Sequence, residues 1–286
     1  MNSEYYQEIE KYFEFAKKIT FDASKILKNA VDCEKMVENK SSTYRDLVTK
    51  QDKEIENILI SKLAEEFPNH KFIAEESSDP NKPLELTDAP TWIIDPIDGT
   101  TNFVHGFPQY CISIGFAINK QVEIAIISNP MNNEFYTAKR GCGAFLNGKR
   151  IKASSITELK TSLIIIEPAT FQMSMKNRDI SLARYETLIL SSEGVRSVGS
   201  AVLAMAYVAK GIIDAFHMDY LKPWDVAAGY LIVEEAGGTV INTKGGPFNI
   251  MEPMTIAAGT KSLAKDISKL IIDTDLQTQR KRLKRT

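Results

Sequence analysis

The sequence predicts a chain of the α+β class, built as stacked layers of helix and sheet, and three observations point to it. Ile9, Phe13, Ala16, Ile19, Ala23 and Leu27 recur at helical spacing, and a second helical stripe follows at Ile55, Ile58, Leu59 and Leu63. After these two helices come successive apolar runs at 71–74, 91–95, 111–118, 122–128 and 134–138, which read as strands. The second half alternates instead. Strand 162–167, helix 174–191, strand 195–198, helix 200–210, strand 211–217, helix 225–236 and strand 239–242 suggest a layered, mainly parallel unit.

Composition bounds the possibilities. A chain of 286 residues, 43% hydrophobic, can bury a sizeable core as one large or two small domains. Asn147-Gly148 is a tight-turn signal near a junction between 1–150 and 151–274, and the basic stretch 275–286 reads as a solvated, disordered tail. A net charge of −2 gives no general attraction to nucleic acid or membrane, so any phosphate binding must come from local cations and amides. The first thirty residues carry too many charges for a signal peptide or a span, and no other segment is apolar enough to cross a bilayer. Cys33, Cys111 and Cys142 are odd in number and lack metal-ligand spacing, which points to reduced thiols and a cytoplasmic setting. His70, His105 and His217 are too scattered to argue a metal cluster, and Trp92 and Trp224 read as core.

The most informative segment runs Trp92-Ile93-Ile94-Asp95-Pro96-Ile97-Asp98-Gly99-Thr100-Thr101-Asn102-Phe103. An apolar strand ends there in two carboxylates, with Pro96 interrupting regular pairing, so Asp95 and Asp98 are expected on a turn. Two acids held that close in a poorly solvated cleft repel strongly unless a cation lies between them. Their oxygens predict a hard divalent ion, magnesium by default, and the interrupted pairing leaves the Ile97 carbonyl able to join them. Gly99 and Thr100 then open a helix whose first amides suit a phosphate oxygen.

Two further acids stand in comparable places. Glu75 follows the strand at 71–74, and Asp225 stands in the first turn of an apolar helix through Ala227, Leu231, Ile232 and Ala236. Each also reads as a turn acid or a cap. Thr49-Lys50-Gln51-Asp52 has the form of a capping box at the start of the second helix.

In order and spacing, Glu75-Glu76-Ser77, Asp95-Pro96-Ile97-Asp98-Gly99-Thr100, Trp224-Asp225 and Glu235-Ala236-Gly237-Gly238 resemble the signature of the inositol monophosphatase family of magnesium-dependent, lithium-sensitive phosphomonoesterases. The similarity extends from Asp46-Leu47-Val48-Thr49 to Thr255-Ile256-Ala257-Ala258-Gly259. The resemblance implies a layered α-β-α-β-α sandwich of the inositol monophosphatase and fructose-1,6-bisphosphatase type. It implies that Glu75, Asp95 and the Ile97 carbonyl hold a first magnesium that activates the attacking water, and that Asp95, Asp98 and Asp225 hold a second. A third, looser ion belongs near Glu75. Thr100 with Asp52 would position the water, while Gly99 and Thr100 hold the phosphate and Gly199-Ser200-Ala201 and Asp225 line the substrate pocket. Lys40-Ser41-Ser42 resembles a lysine-bearing loop of the family, and a homodimer is implied.

Substrate choice is less sharply drawn. Inositol-specific members carry a Glu six residues before the Trp of the Trp-Asp pair, where this chain has Met218, with Asp219 adjacent but facing the other way on an extended segment unless a bulge corrects it. Inositol monophosphate leads, and NADP, fructose 1,6-bisphosphate and nucleotide 3′-phosphates stand as alternatives on the same scaffold. The spacing of Asp95 and Asp98 differs from the Asp-x-Asp of haloacid dehalogenase-type phosphatases, whose first acid attacks phosphorus, so direct hydrolysis is expected. A different class, a binding module working through Arg280-Lys281-Arg282-Leu283-Lys284-Arg285, is the remaining alternative.

Overall fold

The computed structural model describes residues 3–31, 36–39, 47–79, 81–168 and 177–283. Lys40-Ser41-Ser42, Asp46, Cys33, Lys284 and Arg285 lie outside the described residues. Helices α1 (Ser3–Asn29) and α2 (Lys50–Glu66) form the first layer. They cover one face of a seven-stranded sheet ordered β3-β4-β5-β6-β7-β8-β9. Its strands are β3 (Lys71–Ala74), β4 (Thr91–Asp98), β5 (Cys111–Ile118), β6 (Gln121–Asn129), β7 (Glu134–Lys139), β8 (Gly143–Leu146) and β9 (Lys149–Arg150). A short antiparallel pair, β1 (Val37–Asn39) with β2 (Leu47–Thr49), precedes α2.

Strand alternation sorts the core. Trp92 and Ile94 on β4, with Ile112, Ile114 and Phe116 on β5, pack against Phe13, Ile19, Leu59 and Leu63 of the first layer. Ile93, Cys111, Ala125 and Ile127 point to the opposite face. There they meet a central layer of two almost wholly apolar helices, α5 (Ala201–Lys210) and α6 (Pro223–Glu235). A helix apolar all round needs cover on every side, which is why these two are sandwiched between sheets.

The second sheet is ordered β11-β10-β12-β14-β13, from β10 (Leu163–Ile166), β11 (Gly194–Arg196), β12 (Ala215–Met218), β13 (Thr239–Asn242) and β14 (Thr255–Ala258). Its outer face is closed by α4 (Arg178–Ser191) and α7 (Lys261–Leu283) through Leu188, Leu263, Ile267 and Ile271. The succession is helix, sheet, helix, sheet, helix, as the resemblance implies.

Several sequence expectations need correction. The second sheet is mixed, not mainly parallel: β10 pairs parallel with β11 and β12, but β14 runs antiparallel to both β12 and β13. The chain reaches β14 from β13 within the same sheet, without a crossover helix between them, so the direction reverses. The expected strand 211–217 begins only at Ala215, because Gly211, at φ 76, caps α5 first. Helix α6 begins two residues earlier than the expected 225, with Pro223 in its first turn, where no N–H is required. Residues 275–283, expected as a disordered tail, continue α7: Thr274 is buried, and Asp275 and Arg282 are tied to Arg184 and Asp179 of α4. Asn147 and Gly148, both at positive φ, make the tight turn between β8 and β9.

Gly115 seats α6 on the first sheet. A Cβ there would stand 2.9 Å from the Ala227 Cβ and 3.4 Å from the helix backbone. Gly115→Val is therefore expected to lower stability by about 1–3 kcal/mol through overpacking. Urea unfolding measures it, and an unchanged midpoint would contradict the seating.

Candidate active site

The site begins with a bulge. On β4 and β5, Asp95 pairs with Ser113 and Asp98 with Cys111, so three steps on β4 are matched by two on β5. Pro96 falls inside this irregularity, where its missing N–H leaves no rung of the ladder unmade. The acids expected on a turn thus stand on a strand that resumes after Pro96. The Ile97 amide donates to Asp95 Oδ1 at 3.0 Å, which fixes that carboxyl at the bulge.

Glu75 reaches the same place by register. Strands β3 and β4 pair in parallel with Ala74 opposite Ile94, and the Glu75 amide donates to the Ile94 carbonyl at 3.2 Å. Glu75 therefore leaves β3 level with Asp95, and their carboxyls stand within hydrogen-bonding reach. Asp225 arrives from the first turn of α6, its Oδ2 accepting the Lys222 amide at 2.7 Å. Among the described residues, Asp95, Asp98 and Asp225 each place a carboxylate oxygen within 4.8 Å of the others.

Asp98 ties the site to the central layer. Its Oδ2 accepts the Ser200 hydroxyl and, at 2.8 Å, the Val202 amide, while Ser200 caps α5 by accepting from the Leu203 amide at 3.1 Å. Gly199, Ser200 and Ala201 are thereby drawn to the end of β4. Gly99, at φ 93, leads into α3 (Thr100–His105), and a Cβ there would come within 2.8 Å of the Gln109 carbonyl. The Thr100 hydroxyl lies 3.1 Å from Asp52 Oδ1 and 3.0 Å from the Ile97 carbonyl.

Asp52 does two things at once. Its Oδ2 accepts the Thr49 amide at 2.7 Å and the Thr49 hydroxyl, so the capping box is formed, and its Oδ1 remains for Thr100. The cap thus leaves one oxygen of the carboxylate for the Thr100 hydroxyl.

The electrostatics follow from burial first and crowding second. Burial pushes the Asp95 carboxyl well above the usual carboxylate range, and Glu75, Asp98 and Asp225 push it further. Removal from water raises Asp98 to about 7, although Ser200 and Val202 favour its charged form. Asp225 is also raised, by burial first and then by Asp98 and Glu75. Such a group binds protons or a cation. The donors are carboxylate oxygens of β4 and of the first turn of α6, a set that fits a hard divalent ion and offers nothing to a soft one.

The inositol monophosphatase family model matches residues 8–274. The chain belongs to the inositol monophosphatase family. Inositol monophosphatase 2 of Mus musculus is 41% identical over 258 residues, covering 88% of this chain and 87% of the relative. Inositol monophosphatase 1 of Homo sapiens is 40% identical over 264 residues, covering 90% and 93%. Among solved structures, the Thermotoga maritima IMPase superposes with a TM-score of 0.82 at 30% identity, covering 94% of this chain and 99% of that one. Inositol monophosphatase-II from Staphylococcus aureus gives 0.80 at 28% identity, covering 94% and 99%. As a member of this family the chain is an inositol monophosphatase-like phosphatase, a phosphoric monoester hydrolase. Its fold is the family's layered one.

Three contributors escaped the sequence reading. Glu56, buried on α2, accepts the Glu76 amide at 2.8 Å. Its signal was an acid within the apolar stripe of Ile55, Leu59 and Leu63. Glu167, directly after β10, accepts the Ser197 hydroxyl and the Val198 and Gly199 amides at 2.7, 2.8 and 3.1 Å, holding the loop before Ser200. It repeats the strand-end placement of Glu75. Arg184 takes Asp219 at 2.6 Å and Asp275 at 2.5 Å, a pairing between distant segments that left no local trace. His217 and Asp219 therefore face α4 and α7, while Phe216 and Met218 face the central layer.

A pH dependence of the metal-free protein follows. Asp98 ionises near 3.8 in the unfolded chain and about 7 in the folded one, so the folded state holds a proton that the unfolded state releases. Its contribution to stability is complete below the lower value and is lost as pH rises through the upper one. Thermal unfolding in chelator should show Tm falling across that window, with a shallower slope in Asp98→Asn. A slope unchanged in the variant would exclude Asp98 as a source.

Proposed function

We propose that the chain is a magnesium-dependent hydrolase of phosphate monoesters, with inositol monophosphate its leading substrate, working by direct in-line attack of water. The convergence of Asp95, Asp98 and Asp225 within 4.8 Å, beside the Thr100–Asp52 pair, carries the reading. In it, Glu75, Asp95 and the Ile97 carbonyl hold one magnesium, Asp95, Asp98 and Asp225 a second, and a third sits loosely near Glu75. The ions would neutralise the phosphate and acidify a water.

The chain's own groups do the rest. The Gly99 and Thr100 amides bind phosphate oxygens, and Gly199-Ser200-Ala201 borders the pocket. The Thr100 hydroxyl, in passing its proton toward Asp52 Oδ1, turns its oxygen into the acceptor for the attacking water's proton. Asp52 stays oriented because its other oxygen is occupied by the Thr49 amide. Inhibition by lithium, a homodimer and a cytoplasmic location complete the reading. Among the described residues, no helix is long and apolar enough to cross a membrane.

A second substrate class has a specific observation in its favour. Met218 occupies the place of the hydroxyl-binding Glu, and the adjacent Asp219 is turned away onto Arg184. No acid of β12 faces the central layer, which favours a less polyhydroxylated leaving group such as a nucleotide. A SaIMPase-II structure holds 2′AMP, and another holds inositol monophosphate.

Phosphate release with magnesium from inositol 1-phosphate, fructose 1,6-bisphosphate, adenosine 3′,5′-bisphosphate and NADP ranks these. Asp98→Asn should abolish turnover while leaving circular dichroism unchanged, and normal turnover in that variant would sink the assignment. A single turnover in oxygen-18 water should put one label in the released phosphate and none in the protein. Label in an aspartate carboxylate would instead establish a phosphoenzyme.

A further inference from the structure

We propose that Glu56 is a positioning residue for the metal-binding turn, holding Glu75 in place through the backbone of Glu76 and Ser77. The inference rests on the reading of the acidic cluster as a metal site. Helix α2 carries Asp52 and Glu56 one turn apart on its buried face, 0% and 3% exposed. Asp52 takes the Thr100 hydroxyl, and Glu56 Oε2 takes the Glu76 amide at 2.8 Å. Ser77 bonds the same carboxyl through its side chain and its backbone.

These donors follow Glu75 directly, where β3 has ended. The last ladder bond is that of the Glu75 amide to the Ile94 carbonyl at 3.2 Å. Beyond it the amides of the half-buried Glu76 and of the exposed Ser77 have no strand to pair with, so the turn needs an acceptor from another element to fix its path. Glu56 supplies that acceptor from a rigid helix. Glu75 is thus pinned by the sheet on one side and by α2 on the other.

A second consequence concerns distance. Because one helix face holds both the Thr100–Asp52 pair and the Glu75 turn, α2 sets the spacing between the water side and the metal side of the site. Burial raises the Glu56 carboxyl above its ordinary range, a cost that simple packing would avoid with a leucine. The turn's N–H and O–H groups offset it.

The test is magnesium titration of the full chain by calorimetry, alongside kcat and KM at saturating magnesium. Glu56→Ala should weaken magnesium binding roughly 10- to 100-fold, with KM for substrate little changed. Glu56→Gln keeps a carbonyl oxygen for the Glu76 amide and should stay within about threefold of the parent. Ser77→Ala removes one donor without touching α2 and should weaken magnesium in the same direction. In the double variant with Glu56→Ala, the two losses should fall short of additive. Parental affinity in Glu56→Ala would overturn the proposal, as would a Gln variant as weak as the Ala variant. Should Glu56→Ala fail to fold by circular dichroism, parental affinity in Ser77→Ala overturns it on its own. Asp98→Asn in the same titration separates the two readings, because unchanged binding there removes the metal site itself.

Discussion

Mutual repulsion among Asp95, Asp98, Asp225 and Glu75 is the constraint on which the rest of the site depends. Left alone, the four would separate or hold protons, and burial first, with the neighbouring charges adding to it, lifts the carboxyls of Asp95, Asp98 and Asp225 above their ordinary range. The fold keeps them together by giving each a backbone tether: the Ile97 amide for Asp95, the Val202 amide for Asp98, the Lys222 amide for Asp225 and the Ile94 carbonyl for the backbone of Glu75. None depends on a long, flexible side chain. Strand ends and helix starts serve here because they are where backbone groups are left over from regular pairing.

The layered architecture supplies those ends in one place. Strand β4 lies between β3 and β5, so its bulge is flanked by Glu75 on one side and Ser113 on the other. Helices α5 and α6 lie on the opposite face from α1 and α2, and both start at the same edge as the bulge. Gly115 matters at this level. Without a bare position on β5, α6 would ride higher and carry Asp225 away from its neighbours.

Legibility in the sequence followed the range of the interactions. The Asp95 segment, the Gly99 turn and the Thr49–Asp52 capping box were readable because their chemistry lies within a few consecutive residues. The family's five-layer order was readable from motif order. The antiparallel β14 was not, because strand direction is decided by pairing with β12, far away along the chain. The helical continuation to Leu283 was hidden for a similar reason: charge density argued for a tail, while contacts with α4 through Arg184 and Asp179 hold the helix down. The sequence also posed Asp52 as a choice between cap and catalytic partner. A carboxylate has two oxygens, and here one accepts the Thr49 amide and the other the Thr100 hydroxyl.

The reach of Asp98 to Ser200 and Val202 has a consequence for how the protein comes into being. The bond spans a sequence separation of 102 to 104 residues, and Asp225 adds another distant contributor. A nascent chain that has emerged only through β9 holds Asp95 and Asp98 but neither the cap that steadies Asp98 nor the third acid. An ion held by all three carboxylates would by mass action stabilise the completed native chain over any half-assembled form.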